Sequence, residues 1–285
     1  METSDLRNLI AEAVRSRVVG PAADVREREI FLREGPRLFP EGRPIRVIHA
    51  DSSMFIGGLR ALLFQSLHPL AMAGVAQHSD YRADPWGRLQ RTADFLASTT
   101  FGPVDEAERA FAMVKRVHQR VVGTARDGRP YSAGDPHLLK WVHIAEVDSF
   151  IAAHRRFGAE SLSDSDYDDY VLDMAVIAES LGVEDAPRNR AELRDSISSY
   201  RPELGTSPEA REAARFLLLT PPLPVPLRPV YGVIGAAAVS LLPVWTRVPL
   251  RLPWLPVTEA TAVRVAAEAL TRTLRWAISA NAPAR

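Results

Sequence analysis

The chain has 285 residues, of which 46% are hydrophobic and 25% charged, with 35 Lys and Arg balanced by 35 Asp and Glu. This composition excludes wholesale disorder, a collagen-like repeat and a coiled-coil rod, and it lacks the basic excess of a nucleic-acid binder. With no cysteine, disulfides, thiolate nucleophiles, Cys-ligated zinc, iron–sulfur clusters and thiolate-ligated haem are ruled out.

The predicted elements are helix after helix. Residues 4–18 and 24–34 read as two short amphipathic pieces. A helix over 51–67 follows, with Asp51, Ser52 and Ser53 all suited to cap it. Pro69 sits in the first turn of a helix running to about residue 77. Residues 85–99 form the next, which stops near Gly102. The segment 105–122 carries Ala107, Ala110, Phe111, Val114, Val117 and Val121 at helical spacing, with His118 on the same stripe, and Gly123 is placed to end it. Asp135 and Pro136 start a helix that reaches about residue 157. A cap at Ser163 and an acidic first turn open 163–181, which Gly182 ends. Helices at 190–200, 207–219 and about 257–278 complete the chain. No run alternates as a strand does. The expectation is an all-α protein of about ten to twelve helices in one domain, with its core at about 45–245 and the remaining C-terminal helix packed on it.

Only Lys115 and Lys140 are lysine, so 33 of the 35 basic residues are arginine, the codon bias of a GC-rich bacterial genome. The N-terminal stretch lacks the basic region and apolar run of a secretory signal, which predicts a cytoplasmic protein. Residues 230–245 are almost wholly apolar. They are shorter than the roughly 20 residues of a spanning helix, and Pro243 interrupts them. One reading is a buried core helix. In the other, 220–256 contacts a membrane surface, covers the site as a lid or joins a homodimer. That stretch holds nine prolines, and Trp245 and Trp254 lie beside Arg247 and Arg251.

Seven histidines are the candidate metal ligands. His118 shares an apolar stripe with Phe111, Val114 and Val121, and His143 shares one with Leu139, Val147 and Phe150. Such a histidine loses hydration and needs a partner for each ring nitrogen. Each can be a satisfied core residue, or the two can face one another around a haem or a metal. The Glu-x-x-His pairs of a di-iron bundle are absent, as are His-Glu-x-x-His, Gly-x-Ser-x-Gly, a P-loop and Gly-x-Gly-x-x-Gly. His49-Ala-Asp51 offers two arms of a facial triad, although Asp51 is also explained as a cap. Arg82, Arg88 and Arg91 cluster around Trp86 and Thr92. This face is either simply solvated or able to hold haem propionates or an acidic substrate.

Several segments resemble the MpaB-type oxygenase family, which includes the latex-clearing rubber oxygenases. They are Gly58-Leu-Arg-Ala-Leu-Leu-Phe-Gln-Ser-Leu-His-Pro69, Gly74-Val-Ala-Gln-His-Ser79, Arg88-Leu-Gln-Arg-Thr92, Phe101-Gly102, Val114-x-x-Val-His118-x-x-Val-x-Gly123 and Tyr131 through Trp141-Val-His143. Together they cover about 45–245. The resemblance implies a globin-like fold holding one haem b, and oxidative chemistry with dioxygen on an apolar substrate. Turnover with peroxide is a variant of that chemistry. It implies His143 as proximal iron ligand and His118 on the distal side, as a sixth ligand or a hydrogen-bond donor. Lys115 falls near a distal basic position, and Gln65 and His68 are implied in cofactor binding. Arg88 and Arg91, with Thr92, are implied in catalysis, neutralising a propionate or an oxygen anion. Glu146 is a candidate acceptor for the second N–H of His143. The chain departs from the latex-clearing members near Arg91, where Leu-Gln-Arg-Thr lacks their carboxylate base, and in having no secretory signal. Two alternatives remain: a bis-histidine haem sensor or electron carrier, and a haem-free helical interaction protein.

Overall fold

The computed structural model describes residues 3–279. Local sequence sets most element boundaries. Proline occupies the first turn of α3 (Pro44–Ala50), α5 (Pro69–His78), α6 (Pro85–Phe101), α8 (Pro136–Phe157) and α11 (Pro208–Leu219), where its missing N–H leaves no bond unmade. The Asp84 and Asp135 side chains accept N–H bonds at the starts of α6 and α8. Ser163 and Asp166 form a reciprocal capping box on α9 (Asp164–Leu181). Gly182 ends α9 at φ +105°, a conformation that disfavours any side chain. Between these lie α4 (Met54–Gln65), α7 (Val104–His118) and α10 (Arg190–Tyr200).

The fold is all-α, as expected, but its helices are more numerous than ten to twelve. The additional pieces are short. They include α3, which the sequence reading left unassigned, and α2 (Ala23–Glu27), which passes into a single π-turn at Arg28–Leu32. The apolar stretch at 230–245 is cut into α12 (Arg228–Ser240) and α13 (Val244–Leu250) by Pro243. Its C-terminal half is buried through Ala237, Ala238 and Val239, while Val230 remains exposed, so it is a core helix along only part of its length. Exposed Val225, Val248, Trp254 and Val257 extend this apolar surface. Among the described residues no single helix is long and apolar enough to cross a membrane. After α14 (Pro256–Thr258) and a π-turn, α15 (Arg264–Ile278) packs on α1 (Thr3–Val18) and α12. Residues 280–285 of the expected C-terminal region lie outside the described residues.

The helix expected over 105–122 stops at His118. Val122–Thr124 instead pairs antiparallel with Pro130–Ser132 in a small hairpin. Gly123 is therefore not a helix cap. A Cβ there would lie 2.5 Å from the Tyr131 hydroxyl, so the strand pairing and the Tyr131 ring, rather than a left-handed turn, require glycine. Tyr131 in turn donates to Gln77 Oε1 at 2.7 Å and ties the hairpin to α5.

Helix α8 forms the spine of the core and is buried on several faces, through Trp141, Ile144, Val147, Phe150 and Phe157 among others. Helix α4 lies closest to it. Gly57 permits that approach, since a Cβ there would meet Phe150 Cδ1 at 2.9 Å and Ala153 Cβ at 3.2 Å. Arg60 of α4 is 3% exposed and fixes the pair. It donates to Asp148 Oδ2 at 2.7 Å, Ser149 Oγ at 2.6 Å and the Leu241 carbonyl at 3.0 Å. Asp51 does not cap α4 from the N-cap position. Its carboxylate takes the Ser53 and Ala159 N–H groups and a bidentate Arg275, joining α4, the end of α8 and α15.

Candidate functional site

Helix α6 packs along α7, and α8 packs along α9, but α7 and α8 do not lie side by side. The resulting gap is bordered by the helices that carry His118 and His143. On α8, His143, Glu146 and Phe150 are three and four residues apart and share a face. Trp141, two residues before His143, points the opposite way and packs on Phe64.

His143 is 6% exposed, and its Nε2 is buried without a hydrogen-bond partner. Burial, aided by Lys140, lowers its pKa to about 4, so the ring is neutral near pH 7. His118, the last residue of α7, is half-buried. Its ring makes no hydrogen bond among the described residues, and burial lowers its pKa as well. His118 lines a pocket of about 190 Å³ with Lys115, Gln119, Gly134, Leu139 and Leu181. Leu139 is one turn before His143, so the pocket opens against the same face of α8. This pocket alone is smaller than the roughly 300–1,000 Å³ of common small-molecule sites.

Glu146 and His49 keep some accessible surface although protein hems them in enough to shift both strongly. Desolvation raises the Glu146 carboxyl to about 7 and lowers His49 to about 3. Glu146 makes no hydrogen bond among the described residues, so it does not serve His143 as the expected acceptor. It offers instead a carboxyl that changes charge near neutral pH, a suitable property for moving a proton.

This arrangement has a measurable consequence in protein without hemin. The fold favours protonated Glu146. That stability is fully present below its ordinary pKa of 4.5 and is lost as pH rises through about 7. Glu146→Gln stays neutral and avoids the loss. We expect the variant's unfolding free energy to gain on the wild type between about pH 4.5 and 7, by at most about 3 kcal/mol. Urea unfolding at several pH values checks this, and a difference independent of pH would refute the burial of an ionisable Glu146.

The other expected site residues divide into two groups. Arg88 is half-buried and donates to Ser79 Oγ. It has no carboxylate partner among the described residues, and burial, with Arg91 nearby, holds its pKa below the ordinary value. It is a cation poised for an anionic group. Arg91 is exposed and lies 3.4 Å from Asp84, while Thr92 returns its hydroxyl to the Arg88 carbonyl at 3.0 Å. Arg82 is neutralised by Glu212 at 2.7 Å. Lys115 is exposed at the pocket rim. Gln65 and His68 are elsewhere, on the Trp141 side of α8. Gln65 donates to the Val142 carbonyl at 3.1 Å, its own carbonyl accepts the Trp141 indole N–H, and His68 lies with His137 and Glu203. The facial-triad reading of His49 and Asp51 fails. Thr100 and Tyr170 take both His49 nitrogens, at 2.7 and 3.1 Å, and Arg275 takes Asp51.

The profile of the ER-bound oxygenase mpaB/B'/rubber oxygenase catalytic domain matches residues 45–276, most of the chain. The protein belongs to this oxygenase family. The match runs past the expected limit near 245 and takes in α13 to α15. The oxygenase is accordingly an enzyme of oxidoreductase type. No curated protein and no solved structure gives a significant match.

Proposed function

We propose that this oxygenase binds haem b in the space bordered by α6, α7 and α8, and oxidises an apolar organic substrate with dioxygen. The observation that carries the reading is a pair of uncharged histidine rings with unpartnered nitrogens, His118 in the pocket and His143 one helical turn from Leu139, which lines it. Neutral imidazole is the form that ligates iron. The Arg88 guanidinium, which donates to Ser79 and has no carboxylate partner among the described residues, supplies a partner for a propionate.

Of the two rings, His118 is the better placed for iron. It lines the pocket, whereas His143 Nε2 has no accessible surface. In this reading His118 would hold the iron in place of His143, which would be the second candidate ligand. When bound, the haem would supply the dioxygen activation that no side chain here can provide. The chain's residues do the rest. Leu139 and Leu181 give the pocket apolar walls suited to a hydrocarbon substrate. Glu146 accepts or releases a proton at its carboxyl oxygen. It takes the place of the carboxylate that the Arg91 tetrad lacks.

The first test is the visible absorption spectrum of the purified protein before and after one equivalent of hemin. The expected result is one Soret band with one haem per chain. A colourless protein that takes up no hemin would overturn the haem reading and favour a haem-free helical protein. A haem protein whose reduced form binds neither dioxygen nor carbon monoxide would favour the bis-histidine electron carrier.

A further inference from the structure

On the opposite side of α8, three segments distant in sequence bring two imidazoles and one carboxylate together. His68 stands at the N-cap of α5, His137 in the first turn of α8, and Glu203 just beyond α10. Their donor atoms all lie within 4.8 Å of one another. The His137 Nε2 is 2.9 Å from Glu203 Oε2, and the His68 Nε2 is 3.5 Å from the same oxygen. Ligands about 2.1 Å from a tetrahedral metal stand roughly 3.4 Å apart; the His68–Glu203 separation already matches this, the His137–Glu203 one is about half an ångström shorter, and the two imidazoles lie no more than 4.8 Å apart.

His68 supplies the independent observation. It is 1% exposed, and neither of its ring nitrogens has a hydrogen-bond partner. A buried, unsatisfied imidazole costs stability unless something fills its coordination. His137 and Glu203 are exposed, at 51% and 42% of their side chains, which leaves an open solvent side for water ligands. The surroundings already orient His137. The Tyr200 hydroxyl donates to the His137 carbonyl at 2.8 Å and lies 3.2 Å from its Nδ1. With Nδ1–H donating to that hydroxyl, a metal would take the place of the proton through which Nε2 bonds the Glu203 carboxylate, at 2.9 and 3.0 Å. Metal-bound histidines are commonly held this way.

We propose that His68, His137 and Glu203 form a binding site for a divalent first-row transition cation, with zinc the best match to two nitrogens and one oxygen. The site is separate from the α7–α8 gap. Its cation pins the α4–α5 turn to the segment after α10, where Gly205 N–H already bonds the Leu67 carbonyl at 2.9 Å. It does not depend on the haem reading.

The test uses the untagged full chain without hemin, titrated with zinc chloride by equilibrium dialysis and by thermal unfolding. One tight zinc per chain and a raised Tm are expected. Glu203→Gln and His137→Asn change exposed side chains and leave the fold intact, and each should weaken zinc binding by at least about tenfold and cancel the Tm rise. Tyr200→Phe should weaken binding about tenfold by releasing the His137 ring. Equal zinc affinity in wild type and Glu203→Gln, or no Tm response in the wild type, would overturn the assignment.

Discussion

His118→Ala should abolish hemin uptake, with the Soret band falling at least roughly tenfold at equal protein concentration, while His143→Ala retains most of its haem with a shifted band. The asymmetry follows from accessibility. His118 ends α7, lines the pocket and has no hydrogen bond to break. Its removal takes away a ligand but little packing, so far-UV circular dichroism should not change. His143 sits inside the core at 6% exposure with its Nε2 sealed from solvent. Truncating it removes buried volume and costs about 1–3 kcal/mol, yet leaves the accessible ligand in place. The reverse pattern would return the proximal role to His143. Full haem content in both single variants would remove both residues from the iron. Arg88→Ala is the useful companion, because a cation with no carboxylate partner can be lost without breaking an ion pair.

Arg60→Ala should be the most destabilising single change outside the apolar core, by about 3–5 kcal/mol. Three acceptors converge on a guanidinium that is almost fully buried. Removing it leaves the Asp148 carboxylate without its cation and the Leu241 carbonyl without that donor, although the Ser149 hydroxyl keeps its bond to the Ala145 carbonyl, and it opens a cavity against Phe64, whose ring lies 5.4 Å from the guanidinium carbon. For a chain of this size the loss should lower Tm by roughly 10 °C. Arg60→Lys keeps the charge but cannot reach all three acceptors from one ammonium, so it should fall between. Thermal and urea unfolding measure both. A loss below about 1 kcal/mol for Arg60→Ala would mean that water replaces the network and that α4 and α8 are held by packing alone.

Helix starts and stops were legible because they depend on neighbouring residues. Pro69 and Pro136 at first turns, Asp135 and Ser163 as caps, and Gly182 in a left-handed turn are local signals with local causes. The signal at Gly123 misled because glycine also permits close approach, and only the Tyr131 hydroxyl across the hairpin distinguishes the two uses. The break at Pro243 in the apolar run at 230–245 was legible, but periodicity does not report which neighbours cover the run, so the exposed Val230 beside buried Ala237 and Ala238 depends on the surrounding helices.

The sequence by itself determined the all-α class, the oxygenase family and the pair of histidines on apolar stripes, because hydrophobic period, capping chemistry and ordered motifs are all written along the chain. Only the tertiary structure decided which ring nitrogens are satisfied, which side of α8 each residue faces, and that Glu146 titrates near neutrality. It alone brought His68, His137 and Glu203 within 4.8 Å, since residues 66 apart in sequence carry no spacing signal. The physical reason is that burial and hydrogen-bond satisfaction belong to packed neighbours, which the fold selects from anywhere in the chain.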